Sequence, residues 1–223
     1  MKIRRVVIGG VLVVIGLPGA LVLIAAASIY VLDRSNGTIV SSGRERQYLL
    51  YVPPSYDRTK PTPLVISMHG AALWPAQQMN LSRWNRLADE YGFIAVYPSG
   101  TGAPRHWGGK ADVRFISELI DTLEGAYNID PTRIYADGFS NGGGMAFELS
   151  CTLFHRIAAV GTVAPALLLP SGWCTDSRPM PLISFHGTAD PLAPYNGGTS
   201  LASPPRFIAG KSIPFEDVST WEG

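Results

Sequence analysis

Histidine is scarce in this chain, and cysteine scarcer. Four histidines (69, 106, 155 and 186) and two cysteines (Cys151 and Cys174) occur in 223 residues. Two cysteines with no histidine pattern beside them do not make a zinc site. Charge is sparse as well. Lys and Arg number 18 against 17 Asp and Glu, a net of +1, and charged residues make up only 16% of the chain. Nothing in that balance supports a nucleic-acid partner. Internal repeats and low-complexity tracts are absent. Between Val6 and Leu32 there is no charged residue at all.

That uncharged run follows the basic start Met1-Lys-Ile-Arg-Arg5 and ends at Asp33-Arg34. As a helix rising ~1.5 Å per residue it is long enough for the ~30 Å hydrocarbon core of a bilayer. The positive flank keeps the N-terminus in the cytoplasm. Residues 1–34 therefore read as a transmembrane signal anchor, with 6–32 holding the protein to the membrane if uncleaved. The alternative is a cleaved signal peptide with Ala25-Ala26-Ala27 as its processing site. Both readings export the remainder, leaving it extracellular or membrane-anchored with its domain outside the cytoplasm. In such a compartment Cys151 and Cys174 can pair, closing a loop worth ~3 kcal/mol. Two buried thiols, or a bond to a cysteine elsewhere, are the other possibilities.

Residues 35–43 are polar and Gly-rich and read as a linker, leaving 44–223 as one domain. Short apolar runs bounded by Pro or Gly predict strands at 46–52, 64–68, 93–97, 133–136, 157–163 and 182–185. Helical spacing marks 81–91, 113–127 and 143–151, and a further helix starts at Ser212, with Pro214 in its first turn. Strands apolar on both faces, alternating with helices, predict an α/β fold: a mostly parallel sheet with helices on both sides.

The chemistry centres on Gly138-Phe139-Ser140-Asn141-Gly142. A serine hydroxyl is a weak nucleophile unless it is held exposed beside a base. A sharp strand-to-helix turn exposes it, and its crowding demands glycine two before and two after. Here a strand precedes and a helix follows, so Ser140 is the candidate nucleophile. The competing readings are a structural serine in a Gly-rich loop, and a phosphate loop, which lacks its lysine. Two backbone N–H groups should hold a developing oxyanion. One is that of Asn141. The other comes from His69-Gly70-Ala71-Ala72, after the 64–68 strand, with Ala71 preferred and Ala72 as runner-up. His69 reads as an orienter of that loop. Asp190, in the turn after the 182–185 strand, is the candidate acid that would orient an imidazole; alternatively it only caps the turn before Pro191. His186 reads as structural. Trp74, His106 and Trp107 lie in loops at the expected mouth and are candidate substrate contacts, or else loop anchors.

Several stretches together resemble the polyhydroxybutyrate depolymerase/feruloyl esterase group of alpha/beta hydrolases, similar to carbohydrate esterase family 1. They are Gly43–Tyr48, Pro63–Gly70, Leu87–Phe93, Tyr97-Pro98, Asp112–Ile116, Gly138–Met145 and His186–Pro191. The resemblance covers residues 38–223. It implies an exported, cofactor-free serine esterase acting on polyester, feruloyl-polysaccharide or related esters. Ser140 would be its nucleophile, Asp190 its acid, and Asn141 and Ala71 its oxyanion donors. Two departures stand out. The elbow carries Phe139 where leucine is usual. The family's catalytic histidine follows the acid, and no histidine follows Asp190 here. The expectation is therefore a C-terminally incomplete domain that is inactive as it stands, because Ser140 has no base. A catalytically dead, membrane-tethered binding domain and a serine peptidase of the same fold are the competing functions.

Overall fold

A computed structural model describes residues 33–166 and 179–196, together with four strand dipeptides. Those dipeptides pair antiparallel as Val7–Ile8 with Val11–Leu12 and Phe207–Ile208 with Lys211–Ser212. The expected membrane helix over 6–32 otherwise lies outside the described residues. No helix among the described residues is long and apolar enough to cross a membrane. The helix expected from Ser212 also lies outside them, except that Ser212 itself ends a strand rather than capping a helix.

The main sheet has seven strands: β1 (Gly37–Ser41), β2 (Arg44–Tyr51), β3 (Thr62–Met68), β4 (Ile94–Pro98), β5 (Ile129–Phe139), β6 (Ala159–Val163) and β7 (Leu182–Phe185). Their order is β1-β2-β4-β3-β5-β6-β7. The pairs from β4 to β7 are parallel, and β1 and β2 run antiparallel at one edge. The linker expected over 35–43 is thus corrected. Its Thr38-Ile39-Val40 core is strand-forming, and Ser42-Gly43 turns back with both φ positive, at 51° and 73°. That is the hairpin turn whose twist matches a paired ribbon. The Gly and Ser that read as a flexible spacer instead make the turn.

Helices α1 (Pro75–Ser82) and α2 (Trp84–Tyr91) cover one face, while α3 (Lys110–Ala126) and α4 (Asn141–Thr152) cover the other. Strand alternation decides who faces whom. In β3, Leu64, Ile66 and Met68 pack with Phe115, Leu119 and Leu149, whereas Val65 joins Ala76, Ala88 and Tyr97 on the opposite side. The single helix expected over 81–91 is in fact two. Arg83 takes φ 57° and breaks the run, leaving Leu81 62% exposed and off the expected apolar face. At the far edge, β7 leaves Leu182, Ile183 and Phe185 exposed.

A buried ion pair ties the antiparallel edge to α3. Arg46 from β2 meets Asp112 of α3 at 2.7 Å, with both side chains nearly inaccessible. The guanidinium also donates to the Ser99 carbonyl at 3.0 Å and lies 3.9 Å over the Phe115 ring. The second Asp112 oxygen accepts the Gly108 N–H at 2.8 Å. The pair therefore grips both ends of the loop that follows β4. Removing one partner strands the other charge in the interior, which costs ~3–5 kcal/mol. Arg46→Ala should lower the unfolding free energy of the full-length protein by about that amount in urea titration. A loss below ~1 kcal/mol would mean that the pair is solvated in solution.

Candidate active site

The register of the parallel strands brings the chemistry together. Met68 lies opposite Gly138, Phe139 opposite Val163, and Val163 opposite Phe185. The loops after β3, β5, β6 and β7 therefore leave the sheet along one edge, where α/β sheets bind ligands. Ser140 leaves β5 at φ 53°, ψ −120° and stands as N-cap of α4. A serine in that region carries ~1–3 kcal/mol of strain. Its neighbours hold it there: the Ser140 N–H donates to the Val163 carbonyl at 2.9 Å, and the Ser140 carbonyl accepts from Ala166 N–H at 3.0 Å. The two flanking glycines are steric necessities. A Cβ on Gly138 would overlap the Gly142 backbone, and one on Gly142 would overlap the carbonyls of Met68 and His69. The elbow is seated directly against the end of β3.

On that neighbouring loop, Ala72 N–H donates to the Arg105 carbonyl at 2.7 Å, so the runner-up donor is already committed. Ala71 N–H makes no hydrogen bond among the described residues, and Ala71 is exposed. Asn141 is the first residue of α4, where a backbone N–H has no partner within the helix. These two free donors flank the serine in sequence and in the sheet.

His69 is fully buried. Its Nε2 accepts the Gly100 N–H at 3.0 Å, which obliges Nδ1 to carry the proton it donates to the Gly70 carbonyl at 2.8 Å. Burial pushes the imidazole down to about 4, with the nearby Arg105 charge adding to the effect. It is a neutral spacer between two loops. Asp190 accepts Leu192 N–H at 2.8 Å and Ala193 N–H at 3.0 Å, both on Oδ1. Those bonds, that of Ala193 foremost, hold its carboxyl below the usual carboxylate range. Asp190 does cap its own turn, and Oδ2 is left facing His186 Nε2 at 3.7 Å. His186 Nε2 is itself engaged with the Ala193 carbonyl at 2.6 Å.

The aromatic candidates separate. Trp107 is only 2% exposed, and its indole N–H donates to the His69 carbonyl at 2.9 Å. A ring with no open face cannot stack on substrate, so the expectation of Trp107 as a binding platform is corrected to that of a loop anchor. His106 is half-buried, with Nδ1 on the Pro104 carbonyl at 2.9 Å. Trp74, at the N-cap of α1, is half-buried beside the His69–Ala72 loop. All four histidines are among the described residues, and none hydrogen-bonds to Ser140. Three are engaged as above, and the exposed His155 stacks edge-on against Phe154. Cys151 is disulfide-bonded. The other cysteine in the chain, Cys174, lies outside the described residues.

Sequence reasoning missed the polar framework around these loops: Arg46, Asp112, Arg105 and the carboxamide of Asn141. Their partners are tens of residues away, and no local spacing announces them.

Residues 46–168 match the family model described as Esterase PHB depolymerase. The chain is 32% identical over 155 residues to the bifunctional acetylxylan esterase/xylanase XynS20E of Neocallimastix patriciarum, covering 69% of this chain and 22% of that protein. It is 31% identical over 193 residues to feruloyl esterase C of Emericella nidulans, covering 82% of this chain and 68% of that one. Among solved structures, a thermostable esterase superposes with a TM-score of 0.54 at 20% identity, covering 71% of this chain and 47% of the other. That likeness shows the alpha/beta-hydrolase fold.

A buried and a half-buried group titrate in opposite senses. The His69 imidazole, ordinarily near 6.5, is lowered to about 4. Between those values the unfolded chain binds a proton that the folded one refuses, so this contribution to stability shrinks as pH falls from about 6.5 to about 4. Asp137 of β5 is pushed up from 3.8 to about 6 by burial, despite the Trp84 N–H on its Oδ1 at 3.0 Å. Its contribution is present below about pH 4 and is lost as pH rises to about 6. In urea unfolding of the full-length protein, the deficit of His69→Gln relative to wild type should shrink between pH 7 and pH 4.5. Asp137→Asn should gain ~1–3 kcal/mol over wild type at pH 7 and lose that advantage at pH 4.5. Differences that do not change with pH would refute both assignments.

Proposed function

Because the chain belongs to the esterase PHB depolymerase family, we propose that it is an exported serine carboxylic-ester hydrolase, working through an acyl-enzyme on feruloyl or acyl esters of polysaccharide or on polyester. The observation that carries the mechanism is the strained turn of Ser140 at the head of α4, beside the open N–H of Ala71. The names of the relatives favour acylated polysaccharide over polyester. Ser140 Oγ attacks the ester carbonyl carbon while an imidazole, which none of His69, His106, His155 and His186 supplies, takes its proton. The carbonyl oxygen gathers the charge and is held by the N–H groups of Asn141 and Ala71. The tetrahedral adduct collapses, the C–O bond to the alcohol breaks, and the imidazole returns the proton to the leaving alcohol. Water then attacks the acyl-serine by the same route and frees the acid. Asp190 would orient the imidazole through Oδ2, since Oδ1 holds its own turn. Trp74 and His106, at the mouth, are the remaining candidates for substrate contact.

One observation favours a second reading. The chain's four histidines are all occupied elsewhere, as expected of a binding domain that keeps the fold without the reaction. Hydrolysis of 4-nitrophenyl acetate and methyl ferulate by the full-length gene product separates the two. The esterase reading expects turnover that Ser140→Ala lowers by ~10⁴-fold or more, with 4-nitroanilide amides turned over far more slowly. Absence of turnover, together with retained binding of acylated xylan, establishes the second reading instead.

A further inference from the structure

The two oxyanion donors sit on different segments, Ala71 after β3 and Asn141 after β5. The distance between them must be held to a fraction of an ångström for both to reach one oxygen. Their direct contact is Gly142 against the carbonyls of Met68 and His69. Steric contact fixes how close two segments come but not how one is rotated against the other. Hydrogen bonds are directional and do fix rotation.

The loop over residues 99–108 supplies them. It reaches the oxyanion loop at three points: Ala72 N–H on the Arg105 carbonyl at 2.7 Å, Trp107 Nε1–H on the His69 carbonyl at 2.9 Å, and Gly100 N–H on His69 Nε2 at 3.0 Å. It reaches the elbow through one side chain. Asn141 Oδ1 accepts the Trp107 N–H at 2.7 Å, and Asn141 Nδ2 donates to the Trp107 carbonyl at 3.1 Å. A carboxamide bonded to both polar groups of one residue is the side-chain equivalent of a strand pair, and it leaves little rotation. The loop's own ends are held by the Arg46–Asp112 pair at Ser99 and Gly108. Arg105 also donates to Ser99 Oγ within the loop.

We propose that the Asn141 carboxamide is a positioning residue that, through the backbone of Trp107, fixes the elbow's oxyanion donor relative to the Ala71 donor, with the 99–108 loop as the bracket between them. The inference rests on the esterase reading above. The Asn141 carboxamide spends its polar contacts on Trp107 rather than on substrate. It acts on the transition state, because only the tetrahedral oxygen needs both donors at once.

The test uses the full-length protein and the variants Asn141→Ala and Trp107→Phe. The first removes both bonds to Trp107. The second keeps an aromatic ring but removes the indole N–H bond to His69 together with part of the indole's bulk. For each, kcat and KM on 4-nitrophenyl acetate are measured. So are the affinities for a trifluoromethyl ketone, which forms a tetrahedral adduct, and for the product acid. Asn141→Ala is expected to lower kcat ~10–100-fold with KM within about threefold. Affinity for the ketone should fall in parallel, and affinity for the acid should not change. Trp107→Phe should show the same pattern, more weakly. Wild-type kcat and ketone affinity in a folded Asn141→Ala protein overturn the inference while leaving the esterase reading intact. A common fall of kcat, KM-derived binding and acid affinity also overturns it, because the loop would then be shaping the binding surface. If Asn141→Ala does not fold, Trp107→Phe decides by the same criteria. A wild-type protein without turnover refutes the esterase reading, and the inference with it.

Discussion

The site depends on a backbone-to-backbone contact that only glycine permits. Gly142, the second residue of α4, lies against the carbonyls at the end of β3, and Gly138 lies against Gly142. Parallel pairing of β3 with β5 sets this up by placing Met68 opposite Gly138. The chain must then turn at once from strand into helix within the space of one residue. Ser140 is that residue, and its positive φ is the geometric consequence. A sharply turned serine, a helix N-terminus behind it and an adjacent loop seated against it are thus three results of one packing constraint. A side chain at either glycine would push the elbow off β3 and undo all three.

The rest of the framework keeps that seat from rocking. Few of its members are apolar. A buried guanidinium–carboxylate pair, a neutral histidine and a primary amide each satisfy backbone groups of one loop, residues 99–108, whose own backbone pairing is the Thr101–His106 bridge. A buried backbone group must find a partner, and in a loop outside the sheet's ladders side chains supply many of them. That need explains why so much polar chemistry is spent behind the site, and why Trp107 faces inward. Its indole N–H is one of the bonds, and its ring caps the His69 imidazole with centroids 5.1 Å apart.

Legibility in the sequence follows from how local each cause is. The strands of the parallel core announced themselves because a strand buried on both faces must be largely apolar, as Ile94–Tyr97 and, Ser67 apart, Leu64–Met68 are. The elbow was legible because its steric demand falls on residues two apart. The β1–β2 hairpin was hidden because Ser42-Gly43 reads equally well as a spacer, and only pairing with β2 distinguishes the two. The break at Arg83 left no trace, since arginine is a good helix former and its left-handed turn is imposed by the packing of α1 and α2 against the sheet. The bond between Asn141 and Trp107 joins residues 34 apart, and Arg46 and Asp112 are 66 apart. No window of sequence contains either.

The histidines show how environment divides labour among identical side chains. A base at Ser140 needs a lone pair directed at Oγ and a basicity near neutrality. His69 has neither. Its lone pair receives the Gly100 N–H, and burial leaves it neutral until about pH 4. A proton on Nε2 would point at another donor, so protonation would break the link to Gly100 rather than activate anything. His186 stands beside Asp190, yet its Nε2 is held by the Ala193 carbonyl on the same turn, which makes it part of the turn that carries the acid. His106 and His155 bond or stack within their own loops. Four imidazoles therefore build, brace or decorate, and the task of taking the serine proton falls to none of them. Around Ser140, the Ala72 N–H is committed to Arg105, the Ala71 N–H makes no hydrogen bond among the described residues, and Asp190 holds its own turn through Oδ1 while Oδ2 faces His186.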